Sequence, residues 1–175
     1  MGRGRRANTF PTCRRPLMTQ AIDPKWEYVA DAVMGGVSQG QLTRETVQGH
    51  AATRLTGDVS LDNNGGFLQM AFDFSDGGGP VDASAWSGIE LTLCGNAQTY
   101  DLRLRTTDLD RPWQSFRIPF TAPAQWTTMR CAFADLEAHR TDAQFDPHAL
   151  RRLGLVAVGR AFAVDLAVRD VAFFA

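Results

Sequence analysis

The 175-residue sequence predicts an all-β fold, an antiparallel sandwich or barrel built as one domain. Many short runs alternate apolar and polar residues, which is the period of a half-buried strand. Glycine and proline separate these runs and mark turns. No stretch has the spacing of apolar residues that a long amphipathic helix requires. A chain of this length can bury a sizeable core without support from a metal or a disulfide.

The first half of the chain predicts five strands, at residues 26–29, 37–44, 46–53, 55–61 and 67–74. Turns are expected at Gly40 and Gly49, because glycine ends a strand pattern most readily. The run Asp-Gly-Gly-Gly-Pro at residues 76–80 predicts a loop, since no regular element tolerates that composition.

Residues 89–93 and 100–105 both alternate strictly, and Gly95-Asn96-Ala97 between them predicts a hairpin. If the leucines of both runs face the core, then Thr92, Arg103 and Arg105 face the opposite way. Further strands are expected at 113–120, 126–133, 153–158 and 162–173. Residues 135–140 predict one helical turn. Asp146 is a suitable N-cap before Pro147 for a short helix ending near Gly154.

Residues 1–21 differ in composition from the rest, with five arginines and no acidic residue before Asp23. We expect them to form a flexible basic tail in front of a single domain at 22–175. The tail lacks the amphipathic or apolar stretch of a targeting signal, which favours a bacterial-type cytoplasmic location. If the arginines instead form a transit peptide, the mitochondrial matrix is the expected compartment.

The overall charge and the cysteines exclude several classes of function. The formal net charge is −1, so no basic field attracts nucleic acid, and no apolar run is long enough to span a bilayer. Cys13, Cys94 and Cys131 are too widely spaced for a metal site or a disulfide framework, and we expect buried thiols in a reducing compartment. No cofactor or metal is therefore predicted.

Two glycine pairs stand beside carboxylates and amides, in Asp-Ala-Val-Met-Gly-Gly-Val-Ser at 31–38 and Ser-Leu-Asp-Asn-Asn-Gly-Gly-Phe at 60–67. We expect tight bends and close strand packing there, with Asp31 and Asn63 or Asn64 bonding local backbone and Met34, Val37 and Phe67 packing alongside. A nucleotide loop is disfavoured because no helix follows. A Ca²⁺ site at Asp58, Asp62, Asn63 and Asn64 is a weaker alternative.

These runs resemble the CIA30 family, proteins related to the mitochondrial complex I intermediate-associated protein 30. The resemblance rests on Trp26, on residues 31–38 and 57–67, and on Tyr-Asp-Leu-Arg-Leu-Arg-Thr at 100–106. It implies a galactose-binding-domain-like jelly roll and a chaperone-like role in assembling a respiratory complex. The motif residues assigned to the scaffold are Trp26, Asp31, Met34, Gly35, Gly36, Asn63, Asn64, Gly65, Gly66 and Phe67.

The candidate binding face follows from the alternation of the arginine strand and the next strand. Arg103 and Arg105 share one face, and Trp113 and Arg117 are expected to extend it, with Gln114 beside them. Arginine and tryptophan are enriched at recognition sites, although a solvated face with Glu90 and Asp101 pairing the arginines is equally compatible. His50, His139 and His148 are isolated, so no catalytic residue is predicted. Asp31 is the best single candidate for a functional acid, but a turn anchor is favoured.

The sequence thus predicts a non-enzymatic binding or assembly module whose partner is a protein, with respiratory-complex subunits implied by the resemblance. The alternative is a carbohydrate-binding module that takes a glycan on the Arg103/Arg105/Trp113 face. A small enzyme is the second alternative, and the oligomeric state is left open.

Overall fold

The computed structural model describes residues 18–175, and this part of the chain folds into twelve strands and four short 3₁₀ turns. The strands are β1 (Thr19–Ile22), β2 (Glu27–Ala30), β3 (Gln39–Val47), β4 (His50–Val59), β5 (Phe67–Asp73), β6 (Gly88–Gly95), β7 (Thr99–Thr106), β8 (Ser115–Thr121), β9 (Thr127–Ala132), β10 (Glu137–His139), β11 (Leu150–Val158) and β12 (Phe162–Phe174). The 3₁₀ turns are Asp31–Met34, Asp62–Asn64, Phe133–Asp135 and Pro147–Ala149.

The strands form two antiparallel sheets of six strands each, which pack as a sandwich. Sheet A has the order β3-β4-β12-β6-β9, with β1 also paired to β12, and sheet B has the order β10-β8-β7-β11-β5-β2. The predicted all-β sandwich is confirmed, and its topology is consistent with a jelly roll.

The core lies between the sheets, where the alternating leucines meet. Leu91 and Leu93 of sheet A and Leu102 and Leu104 of sheet B are almost completely buried in one cluster. The hydroxyl of Tyr100 donates to Asn96 Oδ1 at 2.7 Å and accepts from the Asp165 amide at 3.1 Å, which ties sheet B to sheet A. The period-two pattern therefore identified the buried face of both strands correctly.

The predicted hairpin between residues 89–93 and 100–105 is wrong. β6 belongs to sheet A and β7 to sheet B, so the link between them crosses the sandwich. The link bonds to other elements, because the Asn96 side chain donates to Ala163 O at 2.8 Å and the Ala97 amide to Ala122 O at 2.8 Å. Thr92 and the two arginines consequently lie on opposite outer surfaces of the domain.

The predicted turn at Gly40 is also wrong, because Gly40 lies inside β3 and pairs with Gly57 of β4. A Cβ on Gly57 would lie 2.4 Å from Gly40 Cα, so the two glycines allow their strands to approach closely. The predicted turn at Gly49 is confirmed, since Gln48 and Gly49 form the turn of the single hairpin that joins β3 to β4.

Other element boundaries also differ from those predicted. The expected helical turn at 135–140 is a 3₁₀ turn at Phe133–Asp135 followed by β10. The helix capped by Asp146, whose carboxylate accepts from the His148 amide at 3.0 Å, ends at Ala149 because β11 begins at Leu150.

β1 precedes the expected first strand and starts within the predicted tail, so the folded domain begins before residue 22. The rest of that tail, with Cys13, lies outside the described residues.

Cys94 and Cys131 are buried and unpaired, as predicted for thiols in strands. Burial raises the pKa of the Cys131 thiol to about 11, so it stays protonated at neutral pH. In residues 18–175, no helix is both long enough and apolar enough to cross a membrane.

Candidate functional site

The outer surface of sheet B carries four arginines on three adjacent strands. Arg103 of β7 pairs in register with Arg117 of β8 and with Gly154 of β11, and Arg105 pairs with Arg152. Residues paired across strands project to the same side of a sheet, so these side chains share one surface. We call Arg103, Arg105, Arg117 and Arg152 the arginine face.

Three of these arginines are held by carboxylates. Asp101 accepts from Arg103 Nη2 at 3.0 Å and lies 3.7 Å from Arg117 Nη1. Arg152 donates to Asp73 at 3.0 Å and to Glu27 at 3.1 Å. These partly exposed pairs contribute little to stability but fix the positions of the guanidinium groups. Glu90, expected to pair with the face, lies on sheet A and bonds Arg130 instead.

Arg105 is held differently, by the loop between β7 and β8. Its Nε donates to Gln114 O at 3.1 Å and its Nη2 to Arg111 O at 2.9 Å, while the Gln114 side chain accepts from the Arg111 amide at 3.2 Å. Burial lowers the pKa of Arg105, and the positive charges of Arg151 and Arg152 lower it further. The surroundings of Arg105 therefore have a positive potential.

Trp113 lies in this loop, whereas the sequence predicted it on a strand. β8 begins at Ser115, so the loop, and not strand alternation, brings Trp113 to the arginine face. Its side chain is 53% exposed, and the guanidinium carbon of Arg111 lies 5.9 Å from the ring centroid. An exposed indole beside arginines can contact a flat or apolar group of a ligand.

A crevice of about 50 Å³ opens between the arginine face and the Trp113 loop. Arg103, Arg105 and Arg152 line it, together with Gln114 and Ser115. Gly154 and Gln69 also line it, and an added Cβ on Gly154 would lie 2.2 Å from Nε2 of Gln69, whose side chain crosses the glycine. The absence of a side chain at Gly154 thus leaves room for the Gln69 amide beside the crevice.

Sequence reasoning missed Arg152, Gly154 and Gln69, and treated His139 as isolated. The alternation of Arg152 and Gly154 with buried Leu153 and Leu155 was a usable signal for an outward face. It could not identify β7 as the neighbouring strand, since that pairing joins residues far apart in the chain. His139 of β10 lies near the same face, and burial lowers its pKa, with Arg117, Arg103 and Arg140 lowering it further. It is therefore neutral at pH 7.

The first glycine motif encloses a buried carboxylate. Asp31 has no exposed surface and accepts hydrogen bonds from the Ser38 hydroxyl and amide, from the Gly66 amide at 2.7 Å and from the Phe67 amide at 3.2 Å. Burial acts to raise the pKa of Asp31, but these hydrogen bonds outweigh it and hold the pKa below its ordinary value. Asp31 thus joins the two glycine motifs.

Glycine is required on both sides of this carboxylate. A Cβ on Gly36 would lie 2.4 Å from Asp31 Cγ, and one on Gly65 would lie 2.6 Å from Asp31 Oδ2. Gly35 has a different role, because it ends the 3₁₀ turn with φ +85°, in the left-handed region. Each glycine of the motif therefore meets a steric or a conformational requirement.

The apolar residues of the motifs do not all pack as predicted. Met34, at the end of the 3₁₀ turn, is 65% exposed, and Val37, which follows that turn, is 44% exposed. With Val33 and Leu61, which are also exposed, they form the apolar rim of the two motif loops.

Phe67 is partly buried, and Trp26 packs edge-on against Phe72 with ring centroids 4.9 Å apart. Trp26 also lines an open groove of about 490 Å³ at the edge of the sandwich.

Asn63 and Asn64 form the 3₁₀ turn with φ of +57° and +56°, which asparagine tolerates better than most residues. Within residues 18–175, their side chains make no hydrogen bond, so the expected bonds to local backbone are not observed. The same part of the chain has no group of three or more His, Cys, Asp or Glu side chains placed to hold a metal ion.

Solved structures with the same fold include carbohydrate-binding modules. The family 11 module from Clostridium thermocellum, in complex with a β-1,3-1,4-mixed-linked tetrasaccharide, has a TM-score of 0.69 at 12% identity, covering 89% of this chain and 94% of that chain. The family 11 module of a cellulosomal cellulase from the same organism has a TM-score of 0.70 at 11% identity, and the match covers 91% of this chain and 95% of that chain. A family 30 module from that organism has a TM-score of 0.61 at 15% identity, covering 89% and 96%.

These identities establish a common fold alone. No curated protein sequence matches the chain significantly. The model of the family described as complex I intermediate-associated protein 30 (CIA30) matches residues 18–168, which include both glycine motifs, the arginine face and the Trp113 loop. The chain therefore belongs to the CIA30 family.

Proposed function

We propose that this chain is a non-enzymatic assembly factor that holds a protein partner on the arginine face. The observation that carries the proposal is an outer sheet surface with four arginines and an exposed tryptophan beside them. Arginine and tryptophan are enriched among the residues that dominate protein interfaces. The crevice of about 50 Å³ is far below the roughly 300 Å³ at which small-molecule pockets begin. Surface recognition therefore fits this face better than enclosure of a substrate.

The family description supports the class of partner, because it names a protein associated with an intermediate of complex I. We infer that the partner here is likewise a subunit or an assembly intermediate of a respiratory complex. Fixed arginines suit such a role, since their planar guanidinium groups bind carboxylates through two parallel hydrogen bonds. Attraction of this kind speeds association and weakens as salt rises.

Capture of the tagged full chain from native cells tests the proposal. We expect a respiratory-complex subunit to be recovered at low salt and to be released progressively as the ionic strength rises. An excess of the untagged chain, added as a competitor, should displace that subunit from the tagged chain. Recovery of no respiratory-complex subunit or other assembly partner under these conditions would count against the assigned function.

A second candidate function is glycan binding on the same face, and Trp113 is the observation that favours it. An exposed indole gives a flat apolar surface beside polar donors, and the family 11 module with the same fold forms a complex with a tetrasaccharide. It ranks second because Trp113 is the one aromatic ring among the residues that line the crevice. A glycan array with the wild type and Trp113→Ala separates the two: binding that Trp113→Ala abolishes supports the glycan, and no binding by either protein rejects it.

A further inference from the structure

A buried hydroxyl in the crevice has no hydrogen-bond partner. Across residues 18–175, three buried side-chain polar atoms lack one: Thr106 Oγ1, Ser115 Oγ and Arg151 Nε. Of these residues, Ser115 alone lines the crevice, and it is 3% exposed. Buried polar groups without a partner are rare in folded proteins, because leaving one unpaired is costly. The Ser115 hydroxyl is therefore available to a ligand that enters the crevice.

The charge of the crevice specifies an anion. Its lining contains three arginines and no carboxylate. Arg103 and Arg152 are paired with acidic side chains, but Arg105 has no carboxylate within 4.0 Å in the described part of the chain. Its two bonds to backbone carbonyls use two of its five N–H donors. A partly buried guanidinium with unused donors then lies beside an unpaired hydroxyl, in surroundings whose positive charge already lowers the pKa of Arg105.

The size of the crevice specifies a small anion on a narrow stem. A volume of about 50 Å³ holds a few water molecules, which is the space that the three heavy atoms of a carboxylate need. Trp113 on one side and Gln69 over Gly154 on the other restrict the entrance. An acidic amino-acid side chain carries its carboxylate on a flexible methylene stem. In a uronic acid the carboxylate is attached directly to the sugar ring, which would meet the entrance first.

We propose that the crevice between Arg105, Arg152 and Ser115 is a carboxylate-binding site that receives a glutamate or aspartate side chain of a protein partner. This inference rests on the proposed function and specifies how the partner is recognised. One carboxylate oxygen accepts from Ser115 Oγ, and the other accepts from unused N–H groups of the arginines. Hydrogen bonds of this charge-assisted kind are about twice as strong as neutral ones.

Nuclear magnetic resonance titration with small probes tests the site without the partner. The probes are the capped tripeptides acetyl-Gly-Glu-Gly-amide and acetyl-Gly-Gln-Gly-amide, which differ by one charge, and free glucuronate. We expect a saturable shift of the Arg105 Nε–H and Ser115 amide signals with the glutamate peptide, and at least about tenfold weaker binding of the glutamine peptide. Equal responses to the two peptides would overturn the site, and tighter binding of glucuronate would overturn its assignment to a protein side chain.

Ser115→Ala distinguishes a binding role from a structural one. Because the hydroxyl has no partner within the described residues, its removal should leave the melting temperature unchanged or slightly higher, while glutamate-peptide binding weakens about tenfold. A lower melting temperature with unchanged binding would contradict the proposal.

Gly154→Ala tests the crevice without changing any charge. The new methyl group meets only the flexible end of Gln69 and pushes it into the crevice, so we expect lost binding in a folded protein. Arg44→Gln is the control for loss of a positive charge outside the crevice. Arg44 is exposed on sheet A and has no ion pair among the described residues. This variant should bind the peptide like the wild type, and a loss equal to that of Gly154→Ala would show a nonspecific effect.

Peptide binding that fails while cellular capture succeeds would refute the crevice alone, whereas failed capture with intact peptide binding would refute the assembly role.

Discussion

Replacing Asp31 with alanine should lower the free energy of unfolding by about 3–5 kcal/mol. The carboxylate is fully buried and accepts four hydrogen bonds, three of them from backbone amides. Its removal leaves those amides unpaired and separates the loop before β3 from the loop before β5. Urea denaturation followed by tryptophan fluorescence measures the loss. Asp62→Ala is the control, because Asp62 is exposed in the second motif, and it should change stability by less than about 0.5 kcal/mol.

The pH dependence gives a second readout of the same substitution. Since the pKa of Asp31 is lower in the folded state, its charge stabilises the fold above the unfolded pKa of about 4, and this contribution is lost as pH falls through the folded value. The difference between wild type and Asp31→Ala should therefore be largest near about pH 7 and shrink as the pH falls below about 4. A variant within about 1 kcal/mol of wild type at pH 7 would contradict the assigned role.

Replacing Gly36 with valine should destabilise the domain by about 3 kcal/mol or more. The new Cβ would lie 2.4 Å from Asp31 Cγ, and the hydrogen bonds of Asp31 prevent that carboxylate from moving aside. Gly79→Val is the matched control, because a Cβ there has no neighbour within 4 Å and the backbone is not left-handed. It should change the midpoint of thermal unfolding only slightly.

A double-mutant cycle tests whether the clash is with Asp31. In the Asp31→Ala background, Gly36→Val should cost at least about 1 kcal/mol less than in the wild type, because the two nearest atoms, Asp31 Cγ and Oδ1, are gone. Additive losses would show that valine disturbs something else, and normal melting of Gly36→Val would refute the steric account.

Alternation predicted which residues are buried but could not predict which strands are neighbours. The pattern of Leu91, Leu93, Leu102 and Leu104 identified the core because a period of two assigns each side chain to one face of a strand. The same pattern carries no information about sheet membership. The crossing at Asn96 was therefore mistaken for a hairpin, although its turn residues were recognised correctly.

The candidate site was predictable in part for the same reason. Arg103, Arg105 and Arg117 were placed on one face from local alternation, and the register shows them there. Arg152 and Gly154 join them through the pairing of β7 with β11, about fifty residues later in the chain. The crevice depends on that pairing and on a loop held by Arg105, neither of which has a local sequence signal.

Affinity capture with surface variants tests most directly whether the arginine face binds the partner. The double variant Trp113→Ala/Arg117→Gln removes two partly exposed side chains of the site. The double variant Val33→Ser/Met34→Ser removes two residues of the apolar rim, which is the other exposed surface on which a partner could bind. Both variants should fold like the wild type, which circular dichroism and melting can verify. We predict that the first variant loses the respiratory-complex partner while the rim variant and Arg44→Gln retain it. Retention by the Trp113→Ala/Arg117→Gln variant, with loss in the rim variant, would contradict the assignment of the binding surface.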